Sequence, residues 1–314
     1  MIETIRKEDM LYRKLGHTGE IVSLLGLGGF HLGTARSEAE SIRIIRTAID
    51  KGVTFMDNCW DYHAGLSEMR MGKALMEGYR DKVFLMSKID GRDKRTAGRQ
   101  IDESLLRLRT DTMDLLQFHE VIRLEDPDLI FAKGGAVEAV QEARENGKIR
   151  YVGFTGHKDP WVHQRMLEKA TAHGFRFDAV QMPLNVMDAH FRSFQYTVLP
   201  SLIEQDIGVL GMKAMGAGAI PAGGVVTPIQ CLHYVMSLPV SVVITGIEGM
   251  DRLEQALEAV RTFTPLSQGS MSALLDRTQE AAKTGKYEGF KTSTLYDATA
   301  RHPEWLGTVR TEPP

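Results

Sequence analysis

The sequence has few of the features that mark several large classes of protein. It contains two cysteines in 314 residues, Cys59 and Cys231, which excludes a disulfide framework or a four-thiolate cluster and favours a reducing, cytoplasmic location. No apolar run approaches the roughly 18 residues of a membrane span, and the N-terminus is too polar for a signal peptide. The formal net charge is only −3, so no strong field attracts nucleic acid or an anionic membrane. The composition therefore predicts a soluble globular protein with neither partner.

Helical and buried-strand patterns alternate along most of the chain. Short, nearly continuous apolar runs follow amphipathic helical patterns about every 30 residues, the length of a β-strand with its crossover helix. Such runs are typical of a parallel sheet that is covered on both faces. A doubly wound sheet normally opens its first helix with G-x-G-x-x-G, which LLGLGGFHLG at 24–33 matches poorly. Eight strands, each followed by a helix, favour a closed (β/α)8 barrel of the TIM type.

The two ends of the chain carry different patterns. A β-hairpin is predicted over residues 10–28, with its turn at His17–Gly19. We expect a single domain over 1–314, with the barrel at about 10–262 and a C-terminal helix and arm at 263–314. Four aromatic residues favour a packed arm over a disordered one, and they are Tyr287, Phe290, Tyr296 and Trp305.

Reactive side chains stand where the predicted strands end, which is where the active sites of barrels lie. Asp57, Lys88 and His119 end three consecutive strands, and Tyr62 follows Asp57 by five residues. Each of them alone has an ordinary structural explanation, but together they form an acid–base group. A lysine beside a tyrosine favours the phenolate and lowers the phenol pKa from its usual value of about 10. The aspartate would keep the lysine charged and the histidine would orient a substrate oxygen, an arrangement suited to protonating an alkoxide.

The sequence resembles the aldo-keto reductases. That family has a (β/α)8 barrel closed at its base by an N-terminal hairpin, and its Asp, Tyr, Lys and His tetrad matches Asp57, Tyr62, Lys88 and His119 in order. The resemblance extends from about residue 11 to residue 260. It implies an NADP(H)-dependent oxidoreductase that reduces a small carbonyl substrate, an aldehyde or a ketone, with Tyr62 as the general acid.

The resemblance also implies how NADP(H) lies across the barrel mouth. Met212 stands where many members have a tyrosine that stacks on the nicotinamide, and Arg252 aligns with a position that contacts the 2′-phosphate. Glu248 nearby would repel that phosphate. The implied cofactor-binding residues are Gly28, Gly29, Thr155, Gly156, Gln181, Met212, Lys213, Gly216, Gly218, Gly246, Ile247, Glu248, Arg252 and Gln255.

Two alternatives remain open on the sequence alone. One is a cofactor-sensing subunit without catalysis, and the other is a metal-dependent barrel hydrolase. Metal sites in such barrels usually begin with H-x-H after the first strand, a pair that this sequence lacks, so no metal site is predicted. The oligomeric state is not indicated. A partly polar substrate, such as a sugar or hydroxycarbonyl, is expected from the candidate substrate-binding residues, which are Phe30, His31, Trp60, His63 and Glu120.

Overall fold

A small antiparallel sheet precedes the barrel. The computed structural model describes residues 3–307, and its first strands are β1 (Ile5–Lys7), β2 (Met10–Lys14) and β3 (Ile21–Ser23). Strands β2 and β3 form the predicted hairpin, and β1 adds an edge strand to it. Strand β1 was not predicted, because all three of its side chains are exposed and lack a hydrophobic alternation.

The hairpin closes the bottom of the barrel. Leu15 and Val22 are buried against side chains inside the barrel. The guanidinium of Arg13 donates hydrogen bonds to the carbonyl oxygens of Met236 (2.8 Å) and Val240 (2.9 Å), just before the last barrel strand. Because this end is sealed, a ligand can approach only from the opposite end.

Eight parallel strands form the closed barrel, as predicted. They are β4 (Leu25–Gly28), β5 (Phe55–Asp57), β6 (Phe84–Ile89), β7 (Met113–Phe118), β8 (Ile149–Thr155), β9 (Ala179–Pro183), β10 (Gly208–Met212) and β11 (Val242–Gly246). Neighbours follow chain order from β4 to β11, and β11 pairs with β4 to close the ring.

Helices surround the barrel and connect its strands. Up to β9 they are α1 (Gly29–Leu32), α2 (Glu38–Asp50), α3 (Leu66–Ala74), α4 (Lys94–Leu108), α5 (Asp126–Phe131), α6 (Ala136–Glu145) and α7 (Pro160–Ala172). The remainder are α8 (Phe194–Thr197), α9 (Leu199–Glu204), α10 (Ala219–Ala222), α11 (Pro228–Ser237), α12 (Met250–Arg261), α13 (Gln268–Ala282), α14 (Gly289–Thr292) and α15 (Ala298–Arg301). None of the helices in residues 3–307 combines the length and the apolar character that crossing a membrane requires.

The barrel interior is packed with side chains. Phe55, Phe84, Met86, Leu115 and Leu210 form an inner cluster that is separate from the larger core between the sheet and the helices. A filled interior leaves no channel through the barrel. The polar residues at the carboxyl ends of the strands therefore lie on a rigid apolar floor.

The C-terminal arm packs over the barrel mouth. Lys291, which is fully buried, pairs with Asp188 across a 2.6 Å contact. The carboxylate of Glu120, at the end of β7, accepts hydrogen bonds from the backbone N–H groups of Ala298 and Thr299, both at 2.8 Å. Buried polar contacts of this kind cost free energy if one partner is lost, so they fix the arm against the mouth.

Candidate active site

A cavity of about 280 Å³ opens at the carboxyl ends of the barrel strands. Strand ends from β6 to β10 contribute to its floor, and the C-terminal arm forms one wall. Its lining residues are Phe30, His31, Asp61, Tyr62, Lys88, His119, Glu120, Thr155, Gly156, His157, Gln181, Met212, Lys213, Ala217, Leu295, Tyr296, Ala298 and Arg301.

Lys88 is the centre of the polar group on this floor. Its ammonium donates hydrogen bonds to Asp57 Oδ1, to the carbonyl oxygen of Asn58 at 2.7 Å and to the hydroxyl of Tyr62 at 3.2 Å. The side chains of Lys88 and Asp57 are 1% and 4% exposed. They meet because β5 and β6 are adjacent parallel strands and both side chains lie near the carboxyl ends of these strands. Burial raises the pKa of Asp57, and the charge of Lys88 opposes that rise.

Tyr62 behaves differently from the sequence-based expectation. Burial raises its pKa well above 10, and the negative charges of Asp57 and Asp61 act in the same direction. We expected Lys88 to lower this pKa, but Asp57 contacts the same ammonium and offsets its charge. Tyr62 therefore retains its proton at neutral pH, the state that a proton donor needs.

His119 is held by two carboxylates. Its Nδ1 atom lies 2.9 Å from Asp90 Oδ1 and 3.6 Å from Asp61 Oδ1. Burial acts to lower the pKa of His119, but these two carboxylates outweigh it and raise the pKa to about 9. Arg92, also buried, donates hydrogen bonds to the carbonyl oxygens of Asp90 and His119, both at 2.8 Å. The guanidinium thus fixes the two segments that carry the pair.

Three residues that support the site, Asp61, Asp90 and Arg92, were not predicted from the sequence. Asp90 and Arg92 follow Lys88 just beyond the end of β6, and Asp61 precedes Tyr62, so the strand-end criterion that selected the tetrad could have included them. Asp61, Asp90, His119 and Cys59 also place four possible metal-ligand atoms within 4.8 Å of one another.

A second cavity of about 360 Å³ continues outward from the first. The two share His31, Lys213 and Ala217, so together they form one elongated cleft. The outer part runs from β10 to the start of α12. Its lining residues are His31, Lys213, Ala214, Met215, Ala217, Gly218, Pro221, Pro228, Ile244, Thr245, Gly246, Glu248, Arg252 and Gln255.

Lys213 stands where the two parts of the cleft join. Within residues 3–307 its ammonium has no ion pair, and it lies 4.9 Å from the centre of the Tyr296 ring. Burial lowers its pKa to about 8. Its backbone has a φ of 57°, a strained value for a residue with a β-carbon. A half-buried cation in a strained position is suited to an anionic ligand.

Two buried polar atoms beside the tetrad also have no partner in the described chain. They are Thr155 Oγ1 at the end of β8 and Gln181 Oε1 in β9. The amide nitrogen of Gln181 contacts the sulfur of Met212 at 3.5 Å, and the Gln181 side chain also hydrogen-bonds to Asp57. Because leaving a buried polar group unpaired costs about 1–3 kcal/mol, this spot fits a ligand with its own donors and acceptors, such as a carboxamide.

Comparison with known proteins agrees with this geometry. The model of the aldo/keto reductase family matches residues 24–225, more than half of the chain. The chain belongs to the aldo/keto reductase family. It is therefore an oxidoreductase that acts on carbonyl compounds.

Several relatives of this reductase are known. It is 29% identical over 231 residues to the uncharacterized oxidoreductase YrpG of Bacillus subtilis, covering 67% of this chain and 68% of that protein. The aldo-keto reductase YhdN of the same organism is 32% identical over 216 residues, covering 64% of this chain and 61% of the relative. The fold is similar to that of the aldo-keto reductase AKR11C1 of Bacillus halodurans, solved in its holo form. That match has a TM-score of 0.72 at 23% identity and covers 85% of this chain and 95% of that chain.

The cleft includes most of the predicted cofactor-binding residues of the reductase, but not all of them. Gly28 and Gly29 instead pack against neighbouring strand ends: a β-carbon on Gly29 would lie 2.4 Å from the carbonyl oxygen of Asp57. Gly216 and Ile247 are buried beneath the surface of the cleft. The ten that line it are Thr155, Gly156, Gln181, Met212, Lys213, Gly218, Gly246, Glu248, Arg252 and Gln255.

The predicted substrate-binding residues divide in a similar way. Phe30, His31 and Glu120 line the catalytic cavity, whereas Trp60 and His63 do not. The indole of Trp60 donates to Glu103 at 2.6 Å and packs edge-on against Trp305. The imidazole of His63 lies 2.9 Å from the carbonyl oxygen of Phe30. Both residues therefore support the cavity from outside, which corrects their placement from the sequence.

The carboxylate of Glu120 is also less available than the sequence suggested. It accepts hydrogen bonds from Ala298 and Thr299 in the arm, so its oxygens are largely occupied. The arm in turn contributes four cavity residues that sequence reasoning did not name, namely Leu295, Tyr296, Ala298 and Arg301. They are far from the barrel strands along the chain, and no local pattern places them at the mouth.

Proposed function

We propose that the protein reduces an aldehyde or ketone with NADPH, with Tyr62 as the general acid. The observation that carries the proposal is the position of the Lys88 ammonium, which contacts both Asp57 and the Tyr62 hydroxyl on the floor of an open cavity. Burying the Lys88–Asp57 ion pair costs desolvation free energy. Apolar side chains could fill the same space without that cost, so stabilising the fold alone does not account for the pair.

Tyr62, Lys88 and His119 have different roles in the transfer of a proton to the substrate oxygen. The nicotinamide of NADPH would supply a hydride to the carbonyl carbon. The hydroxyl of Tyr62 then gives its proton to the developing alkoxide, and Lys88 at 3.2 Å stabilises the negative charge left on the phenol oxygen. His119, whose Nδ1 is held by Asp90, has Nε2 free to donate a hydrogen bond to the same substrate oxygen.

The cleft fits the cofactor along its length. The unpartnered atoms of Thr155 and Gln181 suit the nicotinamide carboxamide beside the tetrad. Lys213 suits the pyrophosphate at the junction of the two cavities. Arg252 at the outer end would contact the 2′-phosphate that distinguishes NADPH from NADH, with Glu248 close by.

The cavity favours a small, partly polar substrate. Phe30, Leu295 and Tyr296 supply apolar surface, whereas His119 and Arg301 supply hydrogen-bond donors. A hydroxycarbonyl or an open-chain sugar combines both characters. We therefore expect such compounds to be reduced more efficiently than purely aliphatic aldehydes of the same length.

The direct test is an assay of NADPH oxidation by the purified protein with a panel of diones, hydroxyaldehydes, sugars and alkyl aldehydes. We expect turnover with members of the first three groups and weaker turnover with NADH. Absence of cofactor oxidation across the panel, with bound NADPH demonstrated by fluorescence, would contradict the proposal and favour a cofactor-sensing role.

A further inference from the structure

We propose that Cys59, Asp61, Asp90 and His119 form a binding site for a thiophilic divalent cation, with Zn²⁺ as the best match. Asp61 and His119 line the catalytic cavity and Cys59 and Asp90 lie behind its floor, and the proposal is independent of the reductase activity. We call them the buried donor cluster.

The spacing of the donors is close to that of a metal site. The thiol sulfur of Cys59, Nδ1 of His119 and one oxygen from each aspartate all lie within 4.8 Å of one another. Two ligands on one tetrahedral Zn²⁺ ion stand about 3.3–3.7 Å apart, given bond lengths of about 2.0–2.3 Å. Closing the cluster around an ion therefore requires the outermost donors to approach one another by about 1 Å, a distance that rotation of the carboxylates and of the thiol can supply.

An unpartnered oxygen points to a missing cation. Asp90 Oδ2 is buried and accepts no hydrogen bond within residues 3–307, and the buried Asp61 carboxylate interacts with two other members of the cluster, the Cys59 thiol and His119 Nδ1 at 3.6 Å. The two side chains are 7% and 0% exposed. Within the same range, His119 is the cationic side chain that ion-pairs with both aspartates. Two buried carboxylates with free lone pairs and a single imidazole between them leave room for positive charge.

The donor types select the kind of ion. Oxygen donors alone would suit Mg²⁺ or Ca²⁺, but a thiol and an imidazole favour Zn²⁺ and related transition metals. Asp61 and His119 line the catalytic cavity, which gives an ion a route from solvent. Cys59 and Asp90 are fully buried behind them.

Binding would change the protonation of the donors in a defined way. The thiol of Cys59 and Nδ1 of the His119 imidazolium each lose a proton to solvent as the sulfur–metal and nitrogen–metal bonds form, and Nδ1 gives up its hydrogen bond to Asp90. Nothing is oxidised or reduced. If the proposed function holds, the ion also removes the carboxylate support of His119 and so inhibits carbonyl reduction.

The test uses metal binding rather than turnover, so that its outcome does not depend on the reductase proposal. The chelator-treated, reduced protein is titrated with Co²⁺, and then loaded with Zn²⁺ for X-ray absorption spectroscopy. We expect one Co²⁺ per chain with a thiolate-to-cobalt charge-transfer band. The zinc spectrum should show one sulfur at about 2.3 Å together with nitrogen and oxygen neighbours at about 2.0–2.2 Å.

The chain offers a matched control in its other buried cysteine, Cys231 in α11. Cys59→Ser should abolish the charge-transfer band and weaken Co²⁺ binding at least about 10-fold, the lower end of the loss caused by removing an outer partner of a metal ligand. Cys231→Ser should keep the band and the affinity. Asp90→Asn should weaken binding to a similar degree while retaining the band.

Two results would overturn the proposal. One is a zinc spectrum of the wild-type protein without a sulfur neighbour, which would show an adventitious ion only and does not depend on any variant folding. The other is equal Co²⁺ binding by the Cys59→Ser and Cys231→Ser proteins. Loss of reductase activity with zinc, in the absence of the sulfur signal, would also count against the buried donor cluster.

Discussion

The two ends of the cleft are built in different ways. At the inner end, Lys88 and Asp57 are almost completely buried and hold each other in contact with Tyr62. At the outer end, the side chains of Arg252 and Glu248 are 51% and 47% exposed, and their charges face each other at 3.7 Å. Low dielectric strengthens the inner contacts, whereas solvent screens the outer ones. The side chains that we propose for catalysis are therefore held in place more firmly than the side chains that we propose to distinguish NADPH from NADH.

Because the inner contacts are buried, we expect a substitution at the inner end of the cleft to cause the largest loss of activity. Tyr62→Phe should lower kcat for carbonyl reduction by about 10²- to 10⁴-fold, because it removes the proton donor and little else. NADPH affinity, measured by fluorescence titration, should stay within a factor of about two. Tyr79→Phe, which changes a surface tyrosine that contacts Asp50, is the control and should match wild type. A Tyr62→Phe enzyme with more than half of the wild-type kcat would exclude Tyr62 from the mechanism.

The inner ion pair should also matter for stability. Lys88→Met leaves Asp57 as an unpaired buried charge, so the free energy of unfolding should fall by about 3–5 kcal/mol. Urea denaturation checks this value, and adding Asp57→Asn should restore part of the loss. Lys94→Met removes an exposed lysine that pairs with Glu142 and should leave the free energy of unfolding nearly unchanged. Equal losses in the two single variants would show that the inner pair is not specially buried.

Lys213 lies at the junction of the two ends, and we expect its effect on NADPH affinity to be intermediate in size and to depend on pH. The pKa of Lys213 is lowered to about 8, so its charge is present below that pH and lost above it. NADPH affinity should therefore be full near pH 7 and fall at pH 9.5, by about 10-fold or more for a lost charge-assisted contact. Lys213→Gln should bind weakly at both pH values, and Lys213→Arg should bind well at both. A wild-type affinity that does not change with pH would contradict this role.

The outer end should give the smallest effect, confined to the choice of cofactor. Arg252→Ala should weaken NADPH binding by about 10-fold and leave NADH binding nearly unchanged, since only NADPH carries the 2′-phosphate. Glu248→Gln removes the facing negative charge and should strengthen NADPH binding by a few-fold. The ratio of the two dissociation constants is the measurement. If Arg252→Ala weakens both cofactors equally, Arg252 has a structural role.

The sequence predicted the barrel because its signals are local. Apolar runs about 30 residues apart identify the strands, and the residue that ends each run lies at the mouth, which is how Asp57, Lys88 and His119 were found together. What it could not predict depends on distant contacts. Trp60 lies outside the cavity because Trp305 and Glu103 hold it there.

The electrostatics of the site could not be predicted either, because they also depend on contacts between residues that are distant in the sequence. The pKa of Tyr62 depends on the burial of its ring and on the carboxylates around it, which are known only once the strand ends are assembled. That Lys213 has no anionic partner among residues 3–307 is also visible only in three dimensions, since GMKAMGAG does not show which charged side chains lie nearby in the fold. The arm that completes the cavity contacts residues more than a hundred positions away, such as Glu120.

The central claim, that the inner end of the cleft transfers a hydride to a carbonyl carbon, can be tested by isotope tracing. The purified protein is given NADPH dideuterated at C4 of the nicotinamide together with the best carbonyl substrate of the panel, and the alcohol is analysed by mass spectrometry and proton NMR. The account predicts one deuterium per product, located on the former carbonyl carbon, and a much slower formation of that product by Tyr62→Phe. An alcohol without deuterium at that carbon, or one formed equally fast by the Tyr62→Phe protein, would contradict it.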